Sequence, residues 1–216
     1  MDKRKKMLVS VLAVMAVVML SIVGYYVYNN TFYVSTEDAH VSGDIAKVNA
    51  QIQGKLVELD VVEGEKVYKD QIIGRLESPN QTDSGIEQTL LRAPIDGTVI
   101  KKQGVTGEIL SPGQTVVMVV DPSSLYLVAN IKETQLNRIA LGQEVDVTLD
   151  QFGNQKWSGK VSLIGQASNS TFSLISTSGG STFTKVVQNV PIRVTVDTNG
   201  AQLVQGTNAE VKIHVR

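Results

Sequence analysis

A mainly β chain carried on one apolar N-terminal helix is predicted by three observations. Residues 7–28 form a run without a charge. Branched aliphatics alternate with polar residues at a period of two through much of the remainder. Two segments between Ala50 and Val116 repeat the same glycine spacing. Composition agrees, because 42% apolar against 19% charged residues in a chain of 216 suits ordinary folded domains and excludes a disordered one. A formal net charge of −1 offers no basic field for a phosphate backbone, so no nucleic-acid partner is expected. There is no cysteine, and His40 and His214 are the only imidazoles. Disulfides, thiolate metal sites and a histidine-based triad are therefore excluded or hard to build, and no metal or cofactor is expected.

The elements follow in chain order. Residues 1–6 are a basic tail: Lys3, Arg4, Lys5 and Lys6 outweigh Asp2. Residues 7–28, at a rise of about 1.5 Å each, span about 33 Å as a helix, which matches a bilayer core of about 30 Å. They are read as a transmembrane anchor. Tyr25, Tyr26 and Tyr28 close its far end as a membrane-interface belt. A cleaved leader shares the basic start and apolar run, with Ser21 and Gly24 as small residues, but its apolar part usually runs only about 7–15 residues. The flanking basic residues place the N-terminus in the cytoplasm, and so residues 29–216 outside.

The repeat comes next. Gly54 of Ala50-Gln-Ile-Gln-Gly54 is followed ten residues on by Gly64 and seven further by Gln71. Gly97 of Ala93-Pro-Ile-Asp-Gly97 is followed ten residues on by Gly107 and seven further by Gln114. Matched glycines imply equivalent turns that need positive φ or a close backbone approach. Two such halves, 46–77 and 90–120, would stack by pseudo-twofold symmetry into one β-sandwich of the biotinyl/lipoyl pattern, residues 46–120, joined by the loop 78–89. A swinging-arm carrier needs a lysine at that joint. Ser78–Thr89 has none, and the repeat aligns Lys69 with Pro112 inside a half, so a carrier is rejected.

Beyond residue 121, strands are read from Val145, Val147, Leu149; from Val190, Ile192, Val194, Val196; and from Ala209, Val211, Ile213, Val215, with His214 on the wetted face. Asn130–Gly142 breaks the alternation. Leu136, Ile139 and Ala140 stand at helical spacing, Asn130 with Glu133 resembles a capping pair and Gly142 can stop a turn, which predicts one short helix of about 9–10 residues. Val161–Thr184 carries no charge over 24 positions and is read as a flexible surface segment. Its Phe172, Leu174 and Ile175 are candidates for a transporter or membrane contact, or they pin the loop to the domain beneath. Glu37-Asp38 are strand neighbours facing opposite sides, and Glu63 and Glu65 flank a turn glycine, so none forms a general acid–base pair. No phosphate-binding glycine loop is present, and no motif supports an enzyme.

The order of these features resembles the HlyD-type membrane fusion proteins, and within them the EmrA-type adaptors. It is carried by the anchor, by Val34-Ser-Thr-Glu-Asp-Ala-His-Val41, by the split lipoyl motif with Leu91-Arg-Ala-Pro-Ile-Asp-Gly97, and by Leu125-Tyr-Leu-Val-Ala-Asn-Ile-Lys-Glu-Thr-Gln-Leu136. Phe172-Ser-Leu-Ile175 and Phe183–Arg193 are similar to the same subgroup. The resemblance implies a small β-barrel domain over 121–216, with its first strand supplied from within 29–45. It also implies a non-enzymatic adaptor that partners an export transporter, in this subgroup usually a drug:proton antiporter of the major facilitator type, elsewhere an ABC exporter. Rings of subunits occur in the family, but no heptad here supports a number. The alternative is a membrane-tethered β domain that binds cell-wall material or another ligand without a transporter. Five of the eleven aromatics crowd the membrane exit, which disfavours it.

One departure from the family matters. Typical members insert a long helical hairpin between the lipoyl halves, reaching toward an outer-membrane channel. Twelve residues at 78–89 cannot form it, since each isolated helix needs about 12–15 to be even marginal. A returning loop of that length projects about 20 Å at most. No outer-membrane channel partner is expected, and a bacterium with a single membrane is inferred.

Overall fold

The computed structural model describes residues 3–78, 86–153, 155–168, 187–198 and 200–215, with side chains from residue 11 onward. Its first element is the helix α1, Lys3–Phe32. The chain divides into two compact units, with α1 in the first: 1–40, 127–197 and 207–216 in one, 41–126 and 198–206 in the other.

The first unit is a closed six-stranded barrel. Its strands are β1 (Tyr33–Ser42), β10 (Tyr126–Lys132), β11 (Glu144–Leu149), β12 (Lys156–Ile164), β13 (Asn189–Val196) and β14 (Asn208–His214), arranged β1-β10-β13-β12-β11-β14. The period-two alternation fills its interior. Leu127, Ala129 and Ile131 of β10 are buried, as are Val145, Val147 and Leu149 of β11 and Val211 and Ile213 of β14. A small barrel packs such side chains as its core, and closure leaves no open sheet edge. Between Thr36 and Ala39 the register of β1 slips, and the Thr36 hydroxyl donates to the Asn130 carbonyl at 3.0 Å. Glu37 and Asp38 fall in this bulge and are both exposed, so they do not take opposite faces as a regular strand would dictate.

The second unit is a sandwich of two four-stranded sheets. β2 (Ile45–Asn49), β9 (Thr115–Val120), β7 (Gly97–Lys102) and β4 (Lys66–Val67) form one, in that order. β6 (Leu90–Arg92), β5 (Ile72–Glu77), β3 (Gly54–Leu59) and β8 (Ile109–Leu110) form the other. Adding 43 to a residue number in the first half gives its counterpart in the second, and this shift exchanges the two sheets strand for strand. The backbone bonds obey it. Ala50 and Ala93 donate to Gln114 and Gln71 respectively, and Gly64 and Gly107 to Val99 and Leu56. Leu56, Leu76, Val99 and Val119 meet in the shared core. Each half alone would leave one apolar face wet, so stacking the two is what makes the unit stable.

The glycines divide as their backbones require. Gly64 and Gly107 hold φ of 89° and 97°, open to glycine at no steric cost. Gly54 and Gly97 are instead places of close approach, where a Cβ would stand 2.8 and 2.4 Å from the carbonyl oxygens of Glu77 and Val120. Five turns share one further device. In 62–65, 68–71, 105–108, 111–114 and 140–143 the third residue has positive φ, as a type II turn demands, and the fourth is Glu or Gln. The side-chain oxygen of that fourth residue accepts the backbone N–H of the first, at 3.0, 2.9, 3.2, 3.1 and 3.0 Å in turn. Glu65 is thus a turn lock, and Glu63 likewise accepts from the Lys102 N–H at 3.0 Å. Glu65→Ala should cost about 1 kcal/mol in urea unfolding, while Glu65→Gln should restore most of it, since Gln already serves at three of the five turns. Equal loss in both variants would show that charge, not the returned hydrogen bond, matters.

Two sequence expectations are corrected. The helix expected at Asn130–Gly142 is a 3-10 helix of six residues, Glu133–Arg138, whose cap position, Lys132, makes no side-chain cap bond. Asn130 lies in β10 opposite Pro191, because burial of Ile131 in the barrel extends the alternation of Leu127 and Ala129 past the capping-type pattern. The uncharged run 161–184 does not start as a surface loop, because Val161–Ile164 continue β12 and Val161 is buried. Phe172, Leu174 and Ile175 lie outside the described residues.

Candidate functional site at the junction of helix and barrel

Within α1, Val11–Phe32 is a candidate membrane span of 22 residues with a mean hydropathy of 2.2 and none of its side chains buried by protein. Such a surface is costly in water and suited to lipid. Tyr25, Tyr26 and Tyr28 lie in its C-terminal third and are all exposed. Tyr28 turns toward Phe32, with ring centres 4.9 Å apart.

The helix passes directly into the barrel, since α1 ends at Phe32 and β1 begins at Tyr33. Its last carbonyls would lack partners, and its last turn contains no basic residue to offset the helix dipole. The barrel supplies both. Arg138, at the end of the 3-10 helix, donates to the carbonyl of Asn30 at 2.9 Å and to that of Thr31. The Val215 N–H donates to the Phe32 carbonyl at 2.8 Å. Lys212 donates to the Asn29 side chain at 3.2 Å and lies 4.1 Å from the centre of the Tyr33 ring. Gln143, the lock of the 140–143 turn, donates to the Arg138 carbonyl and ties that turn to it.

Beside this cap, His214 and Asp146 approach to 3.0 Å, and His214 meets the Tyr33 ring edge-on at 4.9 Å. His214 is thus outward-facing, as the strand pattern requires, but engaged. The Tyr33 phenol is held above its ordinary value of 10.0, first by its hydrogen bond with Tyr28 and that neighbour's charge, then by desolvation and Asp146. It is a neutral group throughout the physiological range. Among the described residues no group of three or more His, Cys, Asp or Glu could hold a metal ion.

Sequence reasoning found the tyrosines but ended the anchor at Tyr28, whereas the helix runs on to Phe32, and it missed Arg138 and Lys212. Nothing local marks them, because Arg138 is 108 positions from Asn30. Arg138→Ala should destabilise the last turn of α1 by about 1 kcal/mol, read as faster amide exchange at residues 29–33 with the barrel interior unchanged. Unaltered exchange there would remove the capping role.

A closed barrel and a twofold-repeated sandwich, joined to an apolar helix through a capped junction, define a membrane-anchored adaptor scaffold. The comparisons agree with that class. Residues 44–121 match the YhbJ barrel-sandwich hybrid domain, and residues 125–213 the YknX-like β-barrel domain. Over 185 residues, 85% of this chain and 80% of the relative, the sequence is 34% identical to YhbJ of Bacillus subtilis (strain 168), a protein named as an efflux system component. It is 34% identical over 129 residues to the multidrug export protein EmrA of Haemophilus influenzae, of which it spans only 33%. The crystal structure of MacA from Actinobacillus actinomycetemcomitans superposes with a TM-score of 0.67 at 16% identity, covering 86% of this chain and 80% of that one. The chain belongs to the membrane fusion protein family, in its EmrA- and YhbJ-like branch. Proteins of this family are non-enzymatic structural subunits of export systems that work with membrane transporters, and this chain is a single-pass, membrane-anchored member.

Proposed function

We propose that this chain is the adaptor of a drug-export assembly whose transporter is of the major facilitator type. The N-terminus lies in the cytoplasm and residues 29–216 lie outside. The observation that supports this reading is the capped, linker-free passage from α1 into β1, which leaves no spacer between the apolar helix and the barrel. The likeness to proteins named for multidrug export and multidrug resistance supports the cargo class. The tail Lys3–Lys6 supports the orientation, with Tyr25, Tyr26 and Tyr28 as the outer interface belt. The proposed domains are the sandwich, 46–120, and the barrel, 121–216 with its first strand from within 29–45, although 121–126 and 198–206 group with the sandwich. The twelve-residue joint leaves no reach to an outer-membrane channel, which suits a single-membrane cell. Phe172, Leu174 and Ile175 are proposed as a transporter contact.

Affinity purification from mild detergent should recover a multi-spanning antiporter, and deletion of the adaptor should sensitise cells to that antiporter's substrates. Recovery of no transporter, with unchanged sensitivity across a drug panel, overturns the reading. Phe172→Ser with Leu174→Ser should lower the recovery without altering β-sheet circular dichroism. Because the chain has no cysteine, orientation is cleanly tested. An impermeant maleimide should label Glu37→Cys in intact cells and Lys5→Cys only after lysis, and the reverse pattern excludes this topology.

A further inference from the structure

The repeat that builds the sandwich also provides an internal control, since the shift of 43 residues maps the outer face of one sheet onto the outer face of the other. On the β6-β5-β3-β8 sheet, Lys55 pairs with Glu77 and Glu58 with Arg75. These residues are exposed, and Arg75 and Glu58 form a 3.7 Å ion pair. This is an ordinary solvated face. Their counterparts on the β2-β9-β7-β4 sheet are Thr98 paired with Val120 and Lys101 paired with Met118. Both carboxylates and the arginine have become Val120, Lys101 and Met118, and Val120 is only 4% exposed.

Part of this apolar face is roofed by the segment Gln202–Gln205 and by Leu125, leaving a cleft that encloses about 580 Å³. That volume falls within the roughly 300–1,000 Å³ of small-molecule sites. Ile100, Met118, Leu203 and Val204 supply an apolar lining, and Lys66 and Lys101 stand on it. Among the described residues no carboxylate lines the cleft. Lys66 is on the sheet's outer side, because its neighbour Val67 is the buried residue of β4. The buried Oε1 of Gln205, on the roof, makes no hydrogen bond among the described residues, and a buried polar atom without a partner is disfavoured. An apolar face that served only to hold the roof would be filled by it, and would not need both acids of the matching face replaced. The geometry points to a binding site for an amphipathic organic anion: its apolar body lies on Ile100 and Met118, its acid group meets Lys66 and Lys101, and a polar hydrogen on it or on a bound water satisfies Gln205. The adaptor itself therefore takes up amphipathic anions, independently of which transporter it serves.

Methionine provides the test. Met118 is the only one of the five methionines beyond residue 19, so a full-length chain labelled with ¹³C-methyl methionine reports the cleft through one resonance, assigned with Met118→Leu. The labelled protein in nanodiscs is titrated with 1-anilinonaphthalene-8-sulfonate and, separately, with uncharged N-phenyl-1-naphthylamine. The sulfonate should shift Met118 saturably and bind about tenfold more tightly than the neutral compound. Lys66→Gln with Lys101→Gln should remove that tenfold advantage and leave the neutral compound unaffected. Both lysines are exposed, so the variant's fold is checked by its unchanged probe-free spectrum. The proposal is overturned if Met118 does not respond, if both compounds bind equally to the native protein, or if the double variant keeps the preference.

Discussion

Gly97→Val will be among the most damaging single substitutions in the sandwich. A Cβ at Gly97 stands 2.4 Å from the Val120 oxygen and 2.9 Å from both the Val120 carbonyl carbon and the Val119 Cγ1. The first of these is backbone in a strand paired on both sides, so relief requires moving β9 itself. Overpacking of a well-filled core costs about 1–3 kcal/mol, and here the Ala variant should sit near the top of that range with Val beyond it. Gly54→Ala, with its nearest backbone oxygen at 2.8 Å, should cost less. Gly64→Ala meets nothing within 4 Å and carries only the cost of positive φ, about 1–2 kcal/mol. Urea unfolding followed by circular dichroism should therefore rank Gly97 above Gly54 and Gly64. An Ala at Gly97 tolerated as well as one at Gly64 would show that β9 yields, and that the close approach is not a constraint.

Ile213→Ala should open the barrel at its closing strand. Ile213 is fully buried and its strand is paired on both sides, with Val34 of β1 and Val145 of β11 as register partners. Truncating a buried Ile to Ala costs about 2–5 kcal/mol, the loss growing with the cavity left behind. Neighbours fixed in two ladders collapse poorly, so a loss of about 3 kcal/mol is expected. Trp157, the one tryptophan of the chain, packs at 5.5 Å from Phe152 inside this unit and reports its unfolding by fluorescence. Glu210→Ala, on the wetted side of the same strand, should stay within about 0.5 kcal/mol. If the two variants shift the Trp157 transition alike, the inward and outward assignment of β14 is wrong.

The pattern of β14 was legible because side chains alternate across a strand whatever it pairs with: Ala209, Val211 and Ile213 had to share a face. The repeat was legible because equal spacing of Gly54, Gly64 and Gln71 with Gly97, Gly107 and Gln114 requires equal turns. The turn locks could also have been found, since Glu or Gln stands immediately after the residue of positive φ in all five. They were overlooked because a carboxylate beside a turn glycine is usually solvated, and only the distance to the N–H three residues back distinguishes the two cases. Asn130 misled for a related reason. Its local pattern suits a helix cap, while the partner that overrides it, Pro191 of β13, is 61 positions away in the chain.

By itself the sequence determined what depends on local rules: an apolar run long enough to cross a bilayer, strands of period two, a sandwich made from two like halves, a joint too short for a helical hairpin. The tertiary structure decided everything that required distant partners. It carried α1 on through Asn29 and Thr31, because Arg138 and Val215 satisfy carbonyls that would otherwise end in water. It also made the two outer faces of the sandwich unequal, because only one is roofed by residues 202–205, far along the chain. Hydrogen-bond satisfaction and burial are properties of whichever groups meet in space, and a spacing along the chain cannot disclose them.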